Sequence, residues 1–293
     1  MTNKRTNTTP IKSTEAKEII RKLNKINLES ENFEYIKNQI TRLFNGLAMQ
    51  TSIPKKESKF FRGVKFETKP LTTSYLSYPP ANLVRNFQRC NRPQAPMFYC
   101  AVDPSAVFFE LRVRPGDKIY ISEWSTLKEF AVNRLAVEDT VDLSDLVRDV
   151  ILTFAETKFS QPVHDTYSSQ YKVTAAIAEL LANGDLIGER VLGGLGYPSV
   201  AHPGRIENVA IRPEVVDSCL KLDHVEEVSI LKVEGDEIVI SYTDFSENFG
   251  DGKIHWLGRS SDRIRRPGVT LIVSRGPDGW VTRDENGSIV NPG

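Results

Sequence analysis

Cysteine is scarce in this sequence: there are three in 293 residues, Cys90, Cys100 and Cys219, with no Cys-x-x-Cys spacing among them. An odd set leaves one thiol unpaired and offers no cluster of thiolate ligands, which speaks against a disulfide framework and against a zinc site. Reduced thiols in the cytoplasm are the expectation. Histidine is equally thin, with four residues (His164, His202, His224, His255) scattered along the chain. No apolar run approaches the ~18 residues that a membrane span requires, and the opening MTNKRTNTTPIKST lacks the apolar core of a signal peptide. Three common catalytic signatures, GxxxxGK[ST], GxSxG and HExxH, are missing, so neither a P-loop, nor a serine elbow, nor a zinc-protease helix is written here. GLGYPS begins like a dinucleotide fingerprint, but Pro198 interrupts it and no βαβ unit with a following acid surrounds it. The formal net charge is zero, which gives no footprint for general nucleic-acid binding. The Lys-rich first segment and the basic GRSSDRIRRPG near the end read as solvated surface.

What remains is a globular composition, with 40% hydrophobic and 26% charged residues. Two helical patterns come first. STEAKEIIRKLNKI is one; ENFEYIKNQITRLFNGL is the other, with Phe33, Ile36, Ile40, Leu43 and Leu47 along one face, Ser30 or Asn32 as cap and Gly46 near its end. Such a pair buries its stripe either on the following domain or against a partner. FFRGVKF then reads as a strand with apolar Phe61, Val64 and Phe66, and Gly63 marks a close approach to the backbone. PMFYCAV is a short apolar strand, and DPSAVFFELR opens a helix with proline at its first position. RPGDKIYISEW is a turn and a strand. Two more helices follow: one with Leu143, Leu146, Val147, Val150 and Phe154 as its stripe, and one with serine caps, a stripe of Val173, Ile177, Leu180 and Leu181, and Gly184 as its stop. GYPSVA and ENVAIRP are short strands. From about Val216 the pattern is β-like, with hairpins turning at Glu234–Asp236 and at Pro-Asp-Gly 277–279. The expected layout is α+β: a helical N-terminal arm (1–55), a mixed β core with flanking helices (56–215) and a small β-rich C-terminal extension (216–293).

Arg62, Arg89, Tyr99, Glu110 and Ser199 each lie on or beside a predicted strand or helix end. Guanidinium groups suit phosphate through bidentate, charge-assisted hydrogen bonds. An aromatic ring offers a stacking face to a heterocycle. A carboxylate can hold a ribose hydroxyl and stabilise positive charge at an anomeric carbon. Plain structural roles stand beside these: exposed strand ends for the arginines, core for Tyr99, a solvated charge for Glu110 and a turn for Ser199. Arg92 is an alternative to Arg89.

The order FRG, RCNRPQAPMFYCAVDPSAVFFE, GYPSV, ENVAI resembles the RES domain, a family named for its Arg, Glu and Ser residues. The resemblance covers roughly residues 58–215. It implies an ADP-ribosyltransferase-like fold and an enzyme that consumes NAD by hydrolysis or phosphorolysis, often as the toxin of a toxin–antitoxin pair. Protein mono-ADP-ribosylation and a non-catalytic nucleotide- or partner-binding module are the alternatives. On this resemblance Arg62 and Arg89 hold the phosphates or a ribose, Tyr99 and Ser199 face nicotinamide, Glu110 is the catalytic carboxylate and Asn208 is structural. NAD is then the substrate, no metal is expected, and phosphate and an antitoxin protein are the implied partners. Two positions depart from the family's pattern: Cys90 stands where an aromatic is usual, and Gln94 where glycine is frequent.

Overall fold

The computed structural model describes residues 11–135, 146–183, 190–199, 206–258, 270–276 and 279–290. Its elements run α1 (Ser13–Lys25), α2 (Phe33–Leu43), β1 (Gln50–Ser52), β2 (Lys59–Lys65), β3 (Phe98–Ala101) and α3 (Pro104–Glu110). Then come β4 (Lys118–Thr126), β5 (Ala131–Arg134), α4 (Leu146–Ser160), α5 (Lys172–Ala182), β6 (Leu192–Pro198) and β7 (Ile206–Ile211). The chain ends with α6 (Pro213–Cys219), β8 (Leu220–Glu234), β9 (Glu237–Ser246), β10 (Thr270–Gly276) and β11 (Gly279–Asp284). This is an α+β protein. None of its described helices is long and apolar enough to cross a membrane. Two units are each assembled from discontinuous pieces: one from Met1–Ile53, Pro80–Met97 and Phe130–Ile206, the other from Pro54–Pro79, Phe98–Glu129 and Glu207–Gly293.

In the first unit, Asn32 caps α2 by accepting from the Glu34 amide at 2.7 Å. The stripe of α2 is consumed inside the chain. Ile36, Ile40 and Leu43 are fully buried, as are Ile19 and Leu23 of α1, and α2 packs on α5 while α1 packs on α2 and α4. Of the two fates for that stripe, packing within the chain is the observed one. Helix α4 corrects the expected face. Leu146 and Val150 are exposed, whereas Ile151, Leu152, Phe154, Ala155 and Phe159 are buried. The segment is apolar on more than one side, so periodicity alone could not choose; packing against α1, α5 and β6 does. The serine caps expected for α5 are also absent: a 3-10 turn, Asp165–Tyr171, leads into it, and Tyr171 at the cap position makes no side-chain cap. The expected stripe of α5 is buried at Val173, Ile177 and Leu181. Leu143 and Gly184 lie outside the described residues. β1 pairs antiparallel with β5, and β5 parallel with β6, and the Asn133 amide ties β5 to the Leu181 carbonyl of α5 at 2.8 Å.

The second unit is organised on an antiparallel sheet in the order β7-β3-β2-β4-β8-β9-β10-β11. The β-rich C-terminal segment joins it where β8 pairs with β4. The segment after 213 first forms α6, with Pro213 in its first turn, before β8 begins, a short helix that the β-like reading from Val216 missed. The β8–β9 hairpin closes on the pair Glu234–Glu237, and Gly235 supplies the positive φ, 58°, that the tight turn requires. β10 and β11 form the second hairpin, with Gly276 opposite Gly279.

One face of this sheet carries α3. Phe61, Ala101, Val107, Phe108, Ile121 and Val228 are among the residues of its core, and each fully buried large side chain there contributes about 1.5–3 kcal/mol. Gly63 lets α3 lie directly on β2: a Cβ there would overlap the Val107 Cγ1 methyl and sit 2.8 Å from Leu111 Cδ1. Gly63→Ala is therefore expected to lower stability by about 1–3 kcal/mol through overpacking. A fall in the urea midpoint without a change of slope would show it; an unchanged midpoint would mean that α3 yields freely.

Candidate active site

The second unit holds Arg62, Tyr99 and Glu110. Between β2 and β3 the sheet is scarcely a ladder: they pair at Phe61–Ala101 alone, whereas β2 pairs with β4 over the whole of Lys59–Lys65. Beyond that point the Tyr99 carbonyl accepts instead from Arg62 Nη1, at 2.9 Å. The arginine thus occupies a split in the sheet. Its side chain leaves β2 on the face opposite α3, because its neighbours Phe61 and Gly63 face the helix. There its Cζ lies 5.4 Å from the Phe98 ring centroid, and that ring meets the Trp124 indole edge-on. Arg62 Nε is buried with no hydrogen-bond partner. Burial lowers the pKa of the guanidinium, against opposing effects from Cys100 and Tyr99. A desolvated cation of this kind is costly until an anion reaches it.

Tyr99 is partly buried in β3. It shares the α3 face with Ala101, two residues on.

Glu110 is the last residue of α3. Asp103 starts that helix by accepting from the Ser105 amide at 2.7 Å, with Pro104 at the first position. The helix ends in a Schellman arrangement: Arg112 N donates to Phe109 O and Val113 N to Phe108 O, with Arg112 in the left-handed region at φ 47°. A carboxylate in the last turn opposes the helix dipole, so helix stability does not account for it. Glu110 is exposed, and its Oε1 accepts from Asn208 Nδ2 at 2.7 Å. Asn208 is 5% exposed and sits on β7 opposite Ala101. The family resemblance marks Asn208 as structural, and this hydrogen bond is compatible with that role. Only the separation in sequence hid the contact.

The first unit holds Arg89 and Ser199. Arg89 and Cys90 form the tip of a tight hairpin closed by Gln88 and Asn91, whose amides and carbonyls bond at 2.9 and 3.3 Å. Cys90 points into the interior, 3% exposed, and burial pushes its thiol pKa up. Arg89 Nη1 donates to the carbonyl of Phe159 and, at 3.4 Å, to that of Gln161 at the end of α4, a favourable place for a cation. Its Cζ also lies 5.4 Å from the Tyr171 ring centroid. The Phe159 ring in turn packs on Tyr197, centroids 5.4 Å apart, two residues before the fully buried Ser199. Phe159 thus meets Arg89 through its carbonyl and Tyr197 through its ring. The alternative, Arg92, pairs with Glu34 and Glu179.

The loop that follows explains one departure from the family's pattern. Gln94 has φ 63° and its amide donates to Val84 O at 2.8 Å. A left-handed backbone favours glycine, by roughly 1–2 kcal/mol over an L side chain. Gln94→Gly is expected to raise the melting temperature by a few degrees, as about 1 kcal/mol does in a chain of this size; a lower melting temperature would show that the glutamine side chain makes up for its backbone.

A cavity of about 430 Å³ in the second unit, lined by residues that include Ser77, Trp124, Val216, Asp217 and Phe249, contains none of these candidates.

The second unit thus combines an arginine in a split antiparallel sheet with an exposed carboxylate on a short helix packed against the other face of that sheet. The family model of the RES domain matches residues 63–230, more than half of the sequence. The chain belongs to the RES domain family, which is associated with NAD-related toxin–antitoxin systems. No curated protein matches it.

Proposed function

We propose that the chain cleaves the bond between nicotinamide and ribose in NAD and passes the ADP-ribosyl group to water or phosphate. The observation that carries this reading is Arg62. It is a guanidinium in the β2–β3 split with Nε buried and unpartnered, and no described carboxylate pairs with it, so an anionic ligand such as a dinucleotide phosphate suits it. The split sheet likewise supports an ADP-ribosyltransferase-like fold. Glu110, exposed and held by Asn208, supplies the negative charge that an oxocarbenium-like centre needs. Tyr99 and Ser199 orient nicotinamide, and Arg89 is the second phosphate or ribose contact.

The chemistry asks little proton transfer of the protein. The bond from the anomeric carbon to the pyridinium nitrogen breaks with its electron pair going to nitrogen, and nicotinamide leaves neutral. The oxygen of water or phosphate then bonds to the anomeric carbon, and water releases a proton as it does so. No metal takes part in these steps. A cytoplasmic NAD pool is the substrate source, and an antitoxin protein is the expected partner.

The test is to incubate pure protein with NAD, with and without phosphate, and to identify products by mass spectrometry. Nicotinamide with ADP-ribose, or with phosphorylated ADP-ribose when phosphate is present, is the expected result. An ADP-ribose mass increment on protein, with no free ADP-ribose or phosphorylated ADP-ribose, would make the chain a mono-ADP-ribosyltransferase. Tight NAD binding without nicotinamide release would make it a binding module.

A further inference from the structure

We propose that Asn208 is the positioning residue for Glu110, fixing which way the carboxylate points and keeping it an acceptor during turnover. This rests on the reading that Glu110 acts on the ribose. Asn208 is a buried polar residue of the second unit, 5% exposed, and its amide makes a contact that reaches across 98 residues of sequence, Nδ2 to Glu110 Oε1 at 2.7 Å. It is rigidly placed. Its own strand pairs with β3 from Phe98–Ile211 to Ala101–Asn208, and β3 runs directly into the Asp103 cap that starts α3. Both ends of the contact therefore hang from the same strand: Asn208 through the ladder, Glu110 through seven residues of helix closed by its Schellman motif. Glu110 itself is exposed and has three rotatable bonds through which a carboxylate can sample many directions; the Asn208 amide, fixed in the sheet, is a donor that limits them. A carboxylate whose task is to meet charge growing at one carbon must not sample them freely.

The residue type matters as much as the place. An amide cannot ionise in the working pH range and donates through nitrogen, so it binds a carboxylate without competing for its proton. Aspartate has the same shape and the opposite effect: two carboxylates at that separation cannot both be ionised, and one keeps a proton to higher pH. An alanine removes the donor and leaves the strand.

The experiment compares Asn208→Ala and Asn208→Asp with the native full-length chain. For Asn208→Ala, kcat for nicotinamide release is expected to fall roughly 10- to 100-fold, the scale of a misplaced catalytic group, with KM for NAD within about twofold. For Asn208→Asp the acid limb of the pH–rate profile is expected to move up by at least about one pH unit. A merely structural asparagine would lower melting temperature and the fraction of active protein without moving that limb. In parallel, the Glu110 carboxyl is followed by carbon-13 NMR in carboxyl-labelled protein, its signal assigned by loss in Glu110→Gln, which needs no turnover. If nicotinamide is released and neither kcat in Asn208→Ala nor the acid limb in Asn208→Asp moves, Asn208 does not position Glu110. If no form releases nicotinamide while the Glu110 titration moves upward in Asn208→Asp, the contact stands and the proposed activity is what fails. An unmoved titration in a folded Asn208→Asp overturns the contact itself.

Discussion

Glu110→Gln is expected to release nicotinamide from NAD about 10²- to 10³-fold more slowly than the native chain, the loss typical of removing one preorganised electrostatic contact to a developing charge. Glutamine keeps the size of the side chain and can still meet Asn208 through its own carbonyl oxygen. The residue is exposed at the end of α3, outside the buried core of the unit, so stability is expected to change by no more than about 0.5 kcal/mol. KM for NAD is expected to stay close to native, because the lost interaction exists mainly when positive charge grows on the ribose. The pairing of near-native melting with a collapsed kcat is what distinguishes a catalytic carboxylate from a solvated helix-end charge. Steady-state kinetics and a melting curve on the same preparation check both halves; full activity in Glu110→Gln would remove the residue from the mechanism.

The second large effect is on stability and its pH dependence. Glu226 lies on β8 opposite Ile121, on the face that carries α3, since Ile121 in turn faces Gly63. Burial, and secondly the charge of Glu123, push its carboxyl from the ordinary 4.5 up to about 8. The same burial and the proximity of Glu226 push the Tyr242 phenol up as well. A folded pKa above the unfolded one favours the protonated form. The folded state therefore suffers no penalty from this group below about pH 4.5 and loses stability progressively as pH rises to about 8. Glu226→Gln carries no charge at any of these values. It is expected to match the native chain near pH 4.5 and to exceed it by about 2–4 kcal/mol at pH 9, somewhat less than the full shift at ~1.4 kcal/mol per pH unit, because a relaxing site lets water in. Urea unfolding at the two pH values measures the difference. Equal stability of both proteins at pH 9 would mean that Glu226 ionises freely in the fold.

What was legible in the sequence is what local chemistry writes. Asp103 and Pro104 announce the start of α3, Asn32 the start of α2, and Gly235 the β8–β9 turn, each because the residue type solves a backbone problem within a few positions. Gly63 carried a true signal: something approaches the strand there, and that something is α3. The ordered motifs around Arg62, Arg89, Tyr99, Glu110 and Ser199 pointed to the family. What stayed hidden is relational. The grip of Arg89 on the end of α4 spans 70 residues and the Asn208–Glu110 bond 98; neither has a spacing that a sequence displays. The buried face of α4 was illegible for a different reason, since Val150, Ile151 and Leu152 are consecutive apolar residues and only packing selects among them. The parting of β2 and β3 after Phe61–Ala101 is likewise a property of the sheet and not of either strand.

The most direct measurement is nicotinamide release from NAD by the pure native chain, followed by proton NMR beside Glu110→Gln at equal concentration. Time-dependent release by the native chain, reduced about 10²-fold or more in Glu110→Gln, is the predicted result. No release by a folded native chain that binds NAD, or equal release by both proteins, would contradict it.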